Sequence, residues 1–200
     1  KLSERERDFE ETEAKMADPA FHSNMKESID DFHYGVRQVK SGYHGAMEQG
    51  QISERAMAHM IDCVIAMKEV LGDKVSLALD CGPGWFLNDA IRFARAVEKY
   101  NLMWLEDMLT GDYVPWVNPQ AYRELTQSTS TPIHTGEQIY LRHNFKELIE
   151  TQAVRVVGPD PADIGGIAEL KWVAEHAYMH SIMMAPHGTA NGLLGLGALI

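Results

Sequence analysis

A chain of 200 residues is long enough to bury a sizeable core, and its formal net charge of −11 argues against nucleic acid or an anionic membrane surface as the main partner. No stretch approaches the roughly 18 apolar residues of a membrane span, and the charged segment Lys1–Met16 does not read as a secretion signal. The two cysteines, Cys63 and Cys81, have no framework spacing, so a reduced, cytoplasmic protein is the simplest expectation.

In chain order, Lys1–Met16 is dense in Glu and Arg and reads as an exposed helix or an insert. Asp30–Gly50 mixes His, Tyr, Gly and Lys without a period. Residues 1–52 are therefore expected to form a charged insert or loop region leading into a folded part at 53–200. Ser53 is a plausible N-cap; Met57, Met60, Ile61, Val64, Met67 and Leu71 recur at helical spacing, and Gly72 is the stop. The stripe predicts core packing. The run Val75–Leu79 closes at Asp80 and is followed by Gly82-Pro83-Gly84, after which Asn88 is expected to cap a helix reaching about Tyr100. Leu102–Leu105 closes at Glu106-Asp107, a loop runs through Trp116, and Asn118-Pro119 starts the next helix. Pro132–Gly136 closes at Glu137, with a helix expected around Asn144–Glu150. Val154–Pro159 closes at Asp160, and after Gly165-Gly166 a helix over Ile167–His180 should pack through Leu170, Val173, Ala174 and Ala177. Ser181–Pro186 then delivers His187, and Gly188–Ile200 opens a further helix.

Five short apolar runs bounded by turn signals, each followed by a helical segment, predict an α/β fold with buried parallel strands. Residues just past parallel strand ends emerge at one face, where loops build a site. Asp80, Glu106 and Glu137 would converge there. Three hard oxygen donors suit Mg²⁺, with water completing an octahedral shell, and no His/Cys set has zinc spacing. Taken singly, each carboxylate could equally cap a turn or pair with a neighbouring base. Asp160 could fix the tautomer of His187 and raise its basicity, although a lone His after Pro186 could also be a loop residue bonded to backbone.

The motifs Leu79-Asp80, Trp104-Leu105-Glu106-Asp107, Thr135-Gly136-Glu137, Pro159-Asp160 followed by Ile164-Gly165-Gly166, and Ala185-Pro186-His187 stand in one order over residues 53–200. In these the chain resembles the barrel domain of the enolase superfamily, in its mandelate racemase/muconate lactonizing enzyme-like group. The resemblance implies part of a TIM-like (β/α) barrel, with strands equivalent to the third to seventh. It implies that Asp80, Glu106 and Glu137 bind Mg²⁺ and that Asp160 and His187 form an acid–base dyad. It implies removal of the proton alpha to a substrate carboxylate, the expected substrate being a small sugar acid and the expected reaction its dehydration. Racemisation or epimerisation of a hydroxy acid is the alternative, and a non-catalytic metal-binding barrel a third reading. The full-length protein is expected to be a homo-oligomer.

The chain departs from the family pattern in lacking the capping segments and the first and eighth strands, so it is expected to be part of a longer polypeptide. A second-strand Lys that would face His187 across the substrate has no clear match. Lys1 could be its remnant, while Lys40 follows Val39 without a strand before it. No lysine is assigned to catalysis. The Cys81–Gly84 loop also lacks the polar residues often found after the first metal ligand.

Overall fold

The computed structural model describes residues 47–48, 51–109, 117–188 and 197. The expectations for Lys1–Met16, for most of Asp30–Gly50, for Lys1 and Lys40, for the loop from 110 to Trp116 and for most of the helix after Gly188 lie outside the described residues. The chain divides into two compact units, Lys1–Leu77 and Ala78–Ile200.

In the first unit, β1 (Met47–Glu48) pairs antiparallel with β2 (Gln51–Ile52). The helix α1 (Glu54–Leu71) follows, and its ends are those its sequence dictates. The Ser53 hydroxyl accepts the Ala56 N–H at 3.2 Å, and Gly72 closes the helix at φ 64° by donating its N–H to the Lys68 carbonyl. The buried stripe is Met57, Met60, Cys63, Val64, Met67 and Leu71. Cys63 takes the place expected of Ile61, which is half-buried.

The second unit is a parallel sheet whose strands lie side by side in chain order. They are β3 (Ala78–Asp80), β4 (Trp104–Glu106), β5 (Ile133–Thr135), β6 (Val156–Val157) and β7 (Met183–Met184). Each strand is shorter than its expected apolar run; β5, β6 and β7 lie inside theirs, while β3 and β4 each reach one residue further and take in the closing carboxylates Asp80 and Glu106. Leu105, Ile133, Val156 and Val157 are fully buried, whereas Asp80 and Met183 are exposed. Four helices make the crossovers: α2 (Leu87–Val97), α3 (Pro119–Ser128), α4 (Arg142–Glu150) and α5 (Ile167–Met179), and from α2 to α5 each touches the next. A 3₁₀ turn, Glu98–Tyr100, extends α2 to the expected end. Asn118 caps α3 as its sequence predicts, its Oδ1 accepting the Ala121 N–H at 3.1 Å with Pro119 in the first turn.

The cap of α2 differs from expectation. Phe86 holds the N-cap position without a side-chain bond, and Asn88 lies inside the first turn. Helix α5 buries Leu170, Val173 and Ala177 as expected, whereas Ala174 is half-buried. Arg142 ties α4 to α5 by gripping Glu169 with its backbone N–H at 2.7 Å and its Nε at 2.8 Å. Among the described residues no helix is long and apolar enough to cross a membrane.

Candidate active site

Register decides which side chains share a face at the C-terminal edge of this sheet. Asp80 lies beside Glu106, and Glu106 beside His134, so the three form a row across β3, β4 and β5. Residues in register point to the same side of the pleat. Trp104, two residues before Glu106, joins them there.

Just beyond the strands, acidic oxygens of Glu106, Asp107 and Glu137 lie within 4.8 Å of one another. Asp80 is not one of this close triple. Its Oδ1 folds back to accept the Gly82 N–H at 2.8 Å, an Asx-type turn within its own loop. Its charge still acts on the cluster, because it helps raise the pKa of both Asp107 and Glu137.

Each carboxylate has its own setting. Glu106 is half-buried, and its Oε2 accepts the Trp104 indole N–H at 2.8 Å. Asp107, at φ 49°, is buried and pushed up to about 8, first by desolvation and then, against the opposing bond from Thr135, by the charges of Glu137, Glu106 and Asp80. Thr135 donates to Asp107 at 2.6 Å and accepts from the Tyr122 hydroxyl of α3 at 3.1 Å, so the carboxyl is anchored to the helix layer. Glu137 is raised chiefly by burial, with His187 pulling it down and Asp80 and Glu106 pushing it up.

His187 brings an imidazole to this acidic mouth. Its Nδ1 donates to Asp160 Oδ2 at 2.6 Å, and its Nε2 stands 3.2 Å from Glu137 Oε2. Burial alone would depress its pKa. The Asp160 bond and the charges of Glu137, Asp160 and Glu106 outweigh that and hold it above the ordinary histidine value. Asp160 is itself buried, with Oδ1 accepting the Ala162 N–H at 2.6 Å. It is thus fixed at both oxygens, and it fixes the ring in turn.

The donor set fits a divalent cation of the magnesium type. The gathered donors of Glu106, Asp107 and Glu137, with Asp80 bordering them, are all oxygens, and the charges of Asp80 and Glu106 that add to burial in raising Glu137 are the kind a cation relieves. All five side chains expected at the site therefore reach one edge of the sheet. Asp160 and His187 touch, and Glu106 and Glu137 fall within the close triple, which Asp80 borders.

Three further residues lie at this edge without having been assigned a role from sequence: Asp107 and Trp104, which stand in the quoted motif, and His134. The ring of His134 stacks on Trp104 with centroids 5.3 Å apart, and its Nε2 donates to the Ala185 carbonyl at 3.1 Å. Burial holds its pKa below the ordinary value, against the pull of Glu106 and the Ala185 carbonyl. Gly158 makes that seat possible, since a Cβ there would lie 2.2 Å from His134 Nε2 and 2.8 Å from the Ala185 carbonyl oxygen. Gly158→Ala should therefore destabilise the complete protein by about 1–3 kcal/mol, the usual cost of overpacking, as measured by urea unfolding; an unchanged midpoint would refute the close seat.

Residues 24–200 match the family described as enolase C-terminal domain-like. The chain is 33% identical over 153 residues to a D-xylonate dehydratase of Haloferax volcanii, covering 76% of this chain and 36% of that protein. It is 30% identical to an L-talarate/galactarate dehydratase of Salmonella typhimurium, covering 68% and 33% of the two chains. A mandelate racemase/muconate lactonizing enzyme-like protein from Rubrobacter xylanophilus superposes with a TM-score of 0.66 at 40% identity, covering 75% of this chain and 36% of that one. The chain thus spans about a third of the length of these relatives.

Proposed function

The chain belongs to the enolase C-terminal domain-like family, its α/β fold being part of a TIM-like barrel, and on that premise we propose that it carries the catalytic face of a magnesium-dependent sugar-acid dehydratase. The observation that carries this reading is the placement of His187. One ring nitrogen is locked to buried Asp160 at 2.6 Å, and the other points at a cluster of carboxylates. That arrangement suits abstraction of a proton alpha to a carboxylate.

Asp80, Glu106 and Glu137 would hold the ion. Its positive charge would offset the negative charge that develops on the substrate carboxylate as the alpha proton leaves. His187 Nε2 takes that proton, and its Nδ1–H stays on Asp160, whose charge favours the imidazolium that forms. The alpha C–H bond breaks first. The beta C–O bond then breaks, and the departing hydroxyl needs one proton to leave as water. The His187 imidazolium holds such a proton, so one side chain can serve both halves when the two groups leave from the same side. Asp160 is buried, which shields its side of the bond to the ring from competing water, while the ring itself stays half-exposed.

Sugar acids are the preferred substrates because the curated relatives just described are named for D-xylonate and for L-talarate or galactarate. The test is product analysis of the full-length protein in deuterated water with Mg²⁺ and a panel of aldonates and aldarates. A product lighter by one water is expected. Exchange of the alpha proton with inversion and no loss of water would replace dehydration by racemisation or epimerisation. Neither product nor exchange across the panel would remove the sugar-acid reading.

A further inference from the structure

We propose that Trp104 and His134 are positioning residues for Glu106: they hold its Oε2 within the protein, so that Oε1 is the oxygen offered to a cation. The inference rests on the magnesium reading above and adds to it two residues whose roles lie behind the carboxylate.

The sheet itself sets up the arrangement. Trp104 and Glu106 share a face of β4, and His134 is the register neighbour of Glu106 on β5, one strand spacing away at about 4.8 Å. Both neighbours address the same oxygen. The indole Nε1 donates to Oε2 at 2.8 Å, and His134 Nδ1 stands 3.5 Å from Oε2. Among the described residues no hydrogen-bond donor reaches Oε1.

The two contacts have opposite sense. A carbonyl oxygen can only accept, so the bond to Ala185 places the ring hydrogen of His134 on Nε2 and leaves a lone pair on Nδ1. That lone pair faces a carboxylate oxygen and gives it no bond. The indole therefore pulls Oε2 inward, while the imidazole limits how far it can travel. His134 cannot swing aside to relieve this, because it is stacked on Trp104, bonded to Ala185 and seated flush on Gly158. Its Nδ1 is buried with no hydrogen-bond partner among the described residues. Buried polar atoms are rarely left so, and here the position has a use as the stop for Glu106.

The test measures cation binding in the full-length protein with Mn²⁺ as the probe, by calorimetry and by electron paramagnetic resonance. Trp104→Phe keeps an aromatic ring for His134 to stack on, while it removes the N–H donor and shortens the ring system. Loss of an outer partner of a metal ligand typically weakens affinity about 10–100-fold, and that loss is expected here, with a changed zero-field splitting of the bound ion. The unfolding temperature of the cation-free variant should match that of the unaltered protein, which a purely structural role would not predict. His134→Phe should also weaken binding, and if it fails to fold, Trp104→Phe alone carries the test. Glu106→Gln is the reference. If Glu106→Gln loses Mn²⁺ while Trp104→Phe binds it with unchanged affinity and spectrum, the positioning role is overturned and the metal site survives. If Glu106→Gln binds Mn²⁺ like the unaltered protein, the metal reading fails, and the positioning role with it.

Discussion

His187→Asn should slow exchange of the substrate's alpha proton with deuterated solvent by about 10²–10⁴-fold, the usual share of a positioned general base. The expectation follows from the two contacts of the ring. Nδ1 is committed to Asp160 at 2.6 Å, so Nε2 alone can take a proton, and an Asn at this position has no nitrogen lone pair to replace it. Asp160→Asn should fall in the same range, because it keeps the shape of the carboxyl but loses the charge that favours the imidazolium. The double variant should be little worse than the poorer single one, since the two side chains act as a unit. Mg²⁺ affinity should change little in all three, as neither residue is a proposed ligand. Proton exchange followed by NMR in the full-length protein decides the matter. Undiminished exchange in His187→Asn would assign the base to another residue, with a lysine on the far side of the substrate as the leading candidate.

Glu137→Gln is expected to do still more damage, because this carboxylate stands in both halves of the site. Its Oε2 faces His187 Nε2 at 3.2 Å, and it is one of three acidic groups whose oxygens gather within 4.8 Å. A neutral amide there removes one of the charges that attract a cation. Mg²⁺ affinity should fall by more than the roughly 10–100-fold that loss of an outer partner costs, and turnover should vanish. Calorimetry with Mg²⁺ measures the first effect directly, and unchanged affinity would take Glu137 out of the ligand set. Comparison with Asp80→Asn and Asp107→Asn then tests the remaining ligand. Asp80→Asn should weaken binding more than Asp107→Asn, and the reverse order would make Asp107 the third oxygen donor.

The parts of the fold that were legible in the sequence are those with local causes. Ser53 and Asn118 each stand before a helical pattern with an oxygen to offer, and each caps the helix it announces. The strands were legible as apolar runs because their core positions, Leu79, Leu105, Ile133, Val156 and Val157, are buried. Buried residues that flank the paired ones, such as Leu77, Leu102, Val154 and Ile182, serve the core from outside the strands, which is why each run overstates its strand. Asn88 misled because its neighbour Leu87 already lies in the helix, leaving the apolar Phe86 at the cap position.

The same distinction runs through the site. Glu106, Glu137, Asp160 and His187 could be picked out because a polar residue ending an apolar run has a local signature. Trp104 and His134 carry no such mark, since their importance lies in which residue stands beside them on the next strand. Asp107 was visible as part of a motif. Its burial and its anchoring through Thr135 to Tyr122 depend on a helix layer that the motif does not encode.

The order of strands in this sheet also bears on how the protein is made. Because β3 to β7 lie side by side in the order of the chain, each new strand can join one already present as the ribosome releases it, at about 5–20 residues per second. The acidic side chains come first, from Asp80 through Asp160, and the imidazole at 187 emerges only after them. Throughout that interval the growing mouth of the sheet accumulates negative charge without its internal counterweight. The last of these five strands, β7, therefore does more than extend the sheet: it leads to the group that balances what β3 to β6 have gathered.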